Sequence, residues 1–304
     1  MAKKYWISSS STSFNTAGNW SGGVAPANSD TLYFGAYGSA NCATNIASTG
    51  LTGLTIIVEP GYTGQIGSVT AGVPAYLQIS GGTLRMASTP GGSIYPGSPR
   101  VLIDFGTANP GTVLMEFGNS VGADPSIPAV CVIGSGSGAL TINQSGGSLG
   151  VAVYPGEVAT ITNITTIDGG TTLLGQGVTL TAATFAAGTI TDRRDNTATA
   201  IRVAGAAYNY SGTGATTTLN VDAGTCTYSG TGSITTANLR GLLDMSQDSQ
   251  AKTVTTVNRY DGGSLNLNNG VPAGITITNA INNYGSAGSC GWLTVAAGGT
   301  LKPA

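Results

Sequence analysis

Residues Tyr210-Ser211-Gly212-Thr213-Gly214 return as Tyr228-Ser229-Gly230-Thr231-Gly232, a shift of eighteen. A recurrence of this kind in a Gly- and Thr-rich chain marks a structure built by stacking one short unit on the next. Stepping by eighteen along the rest of the chain gives Leu77, Tyr95, Val113, Cys131, Leu149, Ile167, Phe185, Val203, Val221, Leu239, Val257, Ile275 and Leu293. Every one is apolar or aromatic. Below Leu77 the series meets Glu59 and Asn41, so the register is expected to begin near residue 70.

The columns beside this ladder behave as strand columns, because successive side chains of a strand point to opposite faces. Two residues earlier the column is small and mostly apolar (Ala183, Ile201, Leu219, Ala237), as an interior position near a corner requires. One residue later it holds Gln78, Asp168, Asp222, Arg240 and Asn258, as a solvent-facing side requires. The fold class is therefore all-β: a single-stranded parallel β-helix, or β-solenoid, with about eighteen residues per coil and an N-terminal aromatic cap. Strands about 4.8 Å apart would turn thirteen rungs into a rod of roughly 60 Å. The ladder is expected to form one continuous internal spine, with Asp222 and Arg240 above one another outside.

A second motif, Gly-Gly followed by Thr or Ser, begins at Gly81, Gly146, Gly169, Gly262 and Gly298. Its spacings are not multiples of eighteen, so these turns are expected to migrate between corners. A left-handed hexapeptide solenoid would place aliphatics every six residues. The columns six and twelve beyond the ladder, which begin Thr83, Val101, Asn119 and Thr89, Thr107, Pro125, do not. A calcium-binding nonapeptide roll is excluded by the lack of a repeated Gly-Gly-x-Gly-x-Asp.

Composition limits the function classes. Asp, Glu, Lys and Arg make up 8% of the chain and the formal charge is -2, against roughly a quarter charged residues in an average domain. Without a basic face to neutralise phosphates, no nucleic-acid partner is expected, and no membrane partner either. No apolar run approaches the ~20 residues of a membrane span. There is no His, and Cys42, Cys131, Cys226 and Cys290 lie far apart with no metal-ligand spacing. No metal or cofactor is expected, and the cysteines read as free buried thiols.

Residues 1–40 differ from the remainder and form a capping or attachment segment, with 41–304 as the parallel β-helix. Trp6, Phe14 and Trp20 are concentrated there, with Gly18-Asn19-Trp20-Ser21-Gly22-Gly23, then Pro26 and Asp30-Thr31-Leu32-Tyr33-Phe34. This segment resembles the opening of bacterial surface β-helix proteins, including autotransporter passengers, in which a Gly-Asn-Trp segment precedes a Pro and an Asp-Thr-apolar strand. The resemblance implies a β-helix begun through an aromatic cap, and it implies no catalytic residues. Bulky aromatics covering the apolar rungs of an open solenoid end give the same reading from physics alone. The N-terminus shows no apolar secretory segment and only eleven residues follow Leu293. Compared with the surface proteins, this shifts the expectation towards phage virion proteins of similar architecture: decoration, fibre and spike components.

Three features could carry chemistry or binding. Asp104, in Val101-Leu102-Ile103-Asp104-Phe105-Gly106, is echoed by Glu116 in Val113-Leu114-Met115-Glu116-Phe117-Gly118. Glycosidic cleavage needs two carboxyls roughly 5 to 9 Å apart, and the two could share a face if their strands were adjacent. Each alternates with apolar neighbours, however, as an ordinary outward residue does. The densest charge, Asp192-Arg193-Arg194-Asp195, reads as a loop or subunit contact ahead of an anionic-sugar site. Thr181, Thr199, Thr217, Thr235 and Thr253 form a ladder of the kind that binds ice, but their parity with the core ladder is expected to turn them inward or to a corner.

The expectation is a non-enzymatic structural protein of a phage virion, a capsid decoration, cement or head-fibre protein assembled in the host cytoplasm. Its partners would be other virion proteins, the major capsid protein above all, and two further copies in a homotrimer. The alternative is a polysaccharide-binding or polysaccharide-cleaving tailspike or adhesin, the latter on a bacterial cell surface.

Overall fold

The computed structural model describes residues 1–46, 50–68, 75–88, 90–91, 99–106, 111–116, 128–134, 139–247, 250–268, 274–286 and 290–295. Within them the chain is strand and turn, with two single-turn 3₁₀ helices at Ala17–Asn19 and Cys290–Trp292. The strands pair in parallel, each with the corresponding strand one coil on, and the stack is a β-solenoid.

Two sheets run its length. The first begins with Lys3–Tyr5, Thr31–Phe34, Thr55–Val58, Gly82–Met86, Gly111–Met115 and Leu140–Gln144. It continues through Ala159–Thr166, Val178–Phe185, the first halves of Ala198–Tyr210 and Thr216–Tyr228, Ile234–Leu239, Lys252–Arg259 and Ile275–Asn283. The second takes Ala75–Gln78, Val101–Asp104, Val130–Ile133, Ser148–Val151, Thr171–Leu174 and Thr189–Asp192. It ends with the second halves of the two long strands, then Leu242–Asp244, Ser264–Leu267 and Leu293–Val295.

The interior of the first sheet is two columns. One runs Leu32, Ile56, Leu84, Val113, Ile142, Ile164, Ala183, Ile201, Leu219, Ala237, Val257. The other runs Phe34, Val58, Met86, Met115, Gln144, Thr166, Phe185, Val203, Val221, Leu239, Arg259. Their apolar members are buried, and each fully buried side chain of this size stabilises the stack by about 1.5 to 3 kcal/mol.

The eighteen-residue interval is thus a local property. Phe185, Val203, Val221 and Leu239 do lie one above another. Elsewhere the coils differ: Val101 pairs with Val130, twenty-nine residues on, and Thr225 with Leu242, seventeen on. The thirteen-residue spine therefore requires correction. Val113 and Val257 occupy the other first-sheet column, and Leu77, Leu149 and Leu293 face inward from the second sheet. Ile275 begins the last long strand of the first sheet, beside Lys252. Cys131 is buried, but its neighbours Val130 and Val132 hold the inward columns, so it lies on the opposite side of the strand. Ile167, following the inward Thr166, is 53% exposed. Tyr95 lies outside the described residues.

The described Gly-Gly turns occupy two corners, three of them at the same one. Gly147, Gly170, Gly188, Gly205, Gly224, Gly241 and Gly263 all fall where the chain passes from first sheet to second, so the Gly-Gly turns at Gly146, Gly169 and Gly262 share one corner. Unequal coil lengths hide this in the sequence. The reason for glycine is close approach: a Cβ on Gly188, where φ is +89°, would lie 2.5 Å from the carbonyl oxygen of Gly170 in the coil beneath. Gly81 turns the chain the other way, into Gly82–Met86, and Gly298 lies outside the described residues.

The Tyr-Ser-Gly-Thr-Gly repeat makes the narrow third side. Tyr210 and Tyr228 point inward with ring centroids 4.3 Å apart. Thr231 N–H donates to the carbonyl of Gly212. A Cβ on Gly230 or Gly232 would fall 2.0 Å from the carbonyl of Gly212 or Gly214, so only Gly lets these backbones stack so closely.

At the N-terminus, Trp6, Phe14 and Trp20 are buried with Phe34 and Tyr62 in a cluster of mostly edge-to-face rings. Both indoles are satisfied: Trp6 Nε1 donates to the carbonyl of Ala40 and Trp20 Nε1 to that of Phe14. The Gly-Asn-Trp segment is held by Asn19, whose amide donates to the carbonyl of Ser13 and to Ser11 Oγ. Asp30 closes it, accepting the N–H groups of Ala2 (2.7 Å) and Ala27 (3.0 Å). Strands Lys3–Tyr5 and Thr31–Phe34 of this segment are themselves the first two rungs of the first sheet.

Candidate functional site

The paired-carboxylate candidate is not assembled. Asp104 ends a second-sheet strand, whereas Glu116 follows the first-sheet strand Gly111–Met115. Asp104 accepts hydrogen bonds from the Tyr76 hydroxyl (2.6 Å), Gln78 Nε2 (3.1 Å) and the Gly106 N–H (2.7 Å). Glu116 is paired with Arg85 at 2.9 Å. Each carboxylate is thus engaged by its own local partners on its own sheet.

The Asp192-to-Asp195 cluster is also placed differently from the expected loop contact. Asp192 sits at an inward position above Leu174 and below Tyr210, and neither it nor Arg194 is accessible to solvent. Arg194 Nε reaches Asp192 Oδ2 at 2.9 Å, and the Tyr208 hydroxyl donates to the same oxygen at 2.7 Å. Nη1 donates to the carbonyls of Asn196 and Ala215, and Nη2 to the Thr216 hydroxyl. Burial opposes the guanidinium's charge, but Tyr208 and Asp192 outweigh it and hold the Arg194 pKa above its usual range. Burial, and then Asp192, push the Tyr208 hydroxyl well up. Buried charges are tolerated only with such pairing and saturation. Asp195 takes the outward position and accepts from the Thr213 N–H and hydroxyl one coil on.

The most extensive ordered surface is the outer face of the first sheet. Asn220, Asn238, Asn258 and Asn282 stand in register. The amides of Asn238, Asn258 and Asn282 each donate to the side-chain oxygen of the preceding Asn at 2.8 Å. Alongside them Asp222 bridges Arg202 and Arg240, as the sequence led us to expect for Asp222 and Arg240. Arg240 lies over the Tyr260 ring at 4.2 Å, and Tyr260 stacks on Tyr284. Thr181, Thr199, Thr217, Thr235 and Thr253 join this face and are exposed at bends of the strands, so of the two placements expected from parity, inward or at a corner, the inward one does not hold. Two residues, not one, separate the inward Thr216 from the inward Leu219, so the alternation slips at each of these bends. Sequence reasoning missed the Asn ladder as a unit, since its intervals of eighteen, twenty and twenty-four follow the coil lengths.

Cys42, Cys131 and Cys226 are free and buried, and burial pushes all three thiols above their ordinary range. Among the described residues no group of three or more Cys, Asp or Glu could hold a metal ion, and no helix is long and apolar enough to cross a membrane.

No protein-family model, curated protein or solved structure matches the chain.

Proposed function

We propose that this chain is a non-enzymatic structural protein of a phage virion, a capsid decoration or head-fibre protein that seats on the major capsid protein and trimerises. The observation that supports this reading best is the outer face of the first sheet, where Asn and Thr recur coil after coil beside one Arg–Asp–Arg bridge. A continuous, nearly uncharged array of hydrogen-bonding groups on a parallel stack suits multi-copy contact with a repeating lattice. Trimerisation is proposed by analogy with the habits of the architecture and rests on no residue of this chain.

Quantitative mass spectrometry of purified particles tests it. Recovery in a fixed ratio to the major capsid protein, from heads freed of tails, is expected. Recovery with tails, coupled to loss of host capsular polysaccharide on incubation, would replace this reading with a tailspike. The observation favouring that second reading, or its adhesin counterpart on a bacterial surface, is the cleft beside Arg259 and Trp292.

A further inference from the structure

The interior column that runs through Val221 and Leu239 ends on a charge. Arg259 pairs in register with Leu239 and is only 8% exposed. Among the described residues it forms no ion pair. Its Nε donates to the carbonyl of Gly263 (3.1 Å), and Nη1 to Asn283 Oδ1 (3.1 Å) and the Ser286 carbonyl (3.4 Å). Nη2 finds no acceptor there, yet it is not sealed from solvent. A guanidinium has five donors in a planar fork, so two hydrogens remain unused. Gly285 makes room for this arrangement: a Cβ on it would collide with Nη1.

Arg259 lines a cleft of about 300 Å³ with Ser264, Ser286 and Trp292. The guanidinium carbon stands 5.5 Å from the Trp292 ring centre. The Ser264 hydroxyl and the Trp292 indole N–H, like Arg259 Nη2, have no hydrogen-bond partner among the described residues. Residues carrying three donors without a partner among the described residues therefore line a space at the lower end of the range that small-ligand sites occupy. A nearly buried, unpaired guanidinium is costly unless an anion completes it. Asp261, exposed and bonded to Ser286 at 2.7 and 3.0 Å, stands at the rim. Its charge offsets part of the guanidinium's, which disfavours a phosphate dianion more than a singly charged carboxylate. Glycine backbone, a serine hydroxyl and an indole face suit a sugar ring better than a peptide side chain.

We propose that this cleft binds a carboxylate-bearing sugar residue of the hexuronate class, with Arg259 Nη2 and Ser264 Oγ on the carboxylate and Trp292 against the ring. The proposal stands on the cleft alone and is independent of whether the rod is mounted on a virion.

The indole N–H resonances of the full chain provide the test. Trp6 and Trp20 are satisfied inside the N-terminal cluster, so Trp292 is the reporter. Glucuronate or galacturonate is expected to shift the Trp292 signal saturably, with glucose and galactose at least about tenfold weaker. Arg259→Gln should weaken uronate binding by at least about tenfold. Because that change could loosen the last coils, Ser264→Ala is the second variant, expected to leave the unliganded Trp292 resonance in place and weaken binding by roughly threefold. Neutral sugars as effective as uronates, inorganic phosphate binding more tightly than uronate, or undiminished binding in both variants would each overturn the assignment.

Discussion

Arg194 lies 2.9 Å from Asp192, and both side chains are sealed inside the solenoid, beneath the ring of Tyr210 and beside the hydroxyl of Tyr208. The pair closes a polar knot in an apolar column, between Leu174 below and the stacked tyrosines above.

Removing one partner should be worse than removing both. Arg194→Met leaves an uncompensated buried carboxylate and is expected to cost about 3 to 5 kcal/mol. Asp192→Leu combined with Arg194→Met should cost distinctly less than the two single losses added. Equilibrium denaturation of the four members of the cycle measures the difference, and strict additivity would show that the two charges do not sustain one another.

The Asn ladder predicts an asymmetry between neighbours. Asn220 accepts from Asn238, so Asn220→Asp preserves an acceptor and should be nearly silent. Asn238→Asp replaces the donor with a second acceptor facing Asn220 and is expected to destabilise by about 1 kcal/mol. Val221→Asp, which puts an unpaired carboxylate between Val203 and Leu239, should cost several times more, about 3 kcal/mol or beyond. Melting temperatures that fail to fall in this order would contradict the register.

Asp30 should make the first rung acid-sensitive. Burial raises its pKa, but the N–H groups of Ala2 and Ala27 and the charge of Lys4 outweigh that and hold it below 3.8. A carboxyl depressed in the folded state stabilises fully above its unfolded pKa, about 3.9, and loses that contribution as pH falls through the folded value. The protection factors of the Lys3–Tyr5 amides, which remove the intrinsic pH dependence of exchange, are therefore expected to be constant above about pH 5 and to fall below about pH 4. Asp30→Asn should remove the dependence, and an unchanged acid profile in that variant would assign it to another group.

The buried thiols should be inert in the native protein. With Cys290 replaced by Ser, a thiol-specific disulfide reagent at neutral pH is expected to modify none of Cys42, Cys131 and Cys226 until denaturant is added, because burial both blocks access and suppresses the thiolate. Stoichiometric reaction of the native protein would mean that the coils open around these sites.

Much of the architecture was legible in the residues. The Tyr-Ser-Gly-Thr-Gly recurrence, strand-sized apolar runs and scarce charge required a stacked parallel β structure, and Phe185, Val203, Val221 and Leu239 form the column that an eighteen-residue step describes. The aromatic N-terminus was readable too, since Trp6, Phe14 and Trp20 had nowhere to bury themselves except against the first rungs. What the chain by itself could not state was the length of each coil. A fixed interval along a sequence equals a contact in space only while every corner holds the same number of residues, and here paired positions lie seventeen to twenty-nine residues apart. Each change of length hands the ladder to a different column, which is how Cys131 and Ile167 came to sit on outward positions and Gln144, Thr166 and Arg259 came to occupy the spine. Only the tertiary structure could turn the Asp192 and Arg194 charges inward and the threonines outward. A buried charge depends on donors and acceptors brought from neighbouring coils, and a bend that spends one extra residue reverses the alternation that parity assumes.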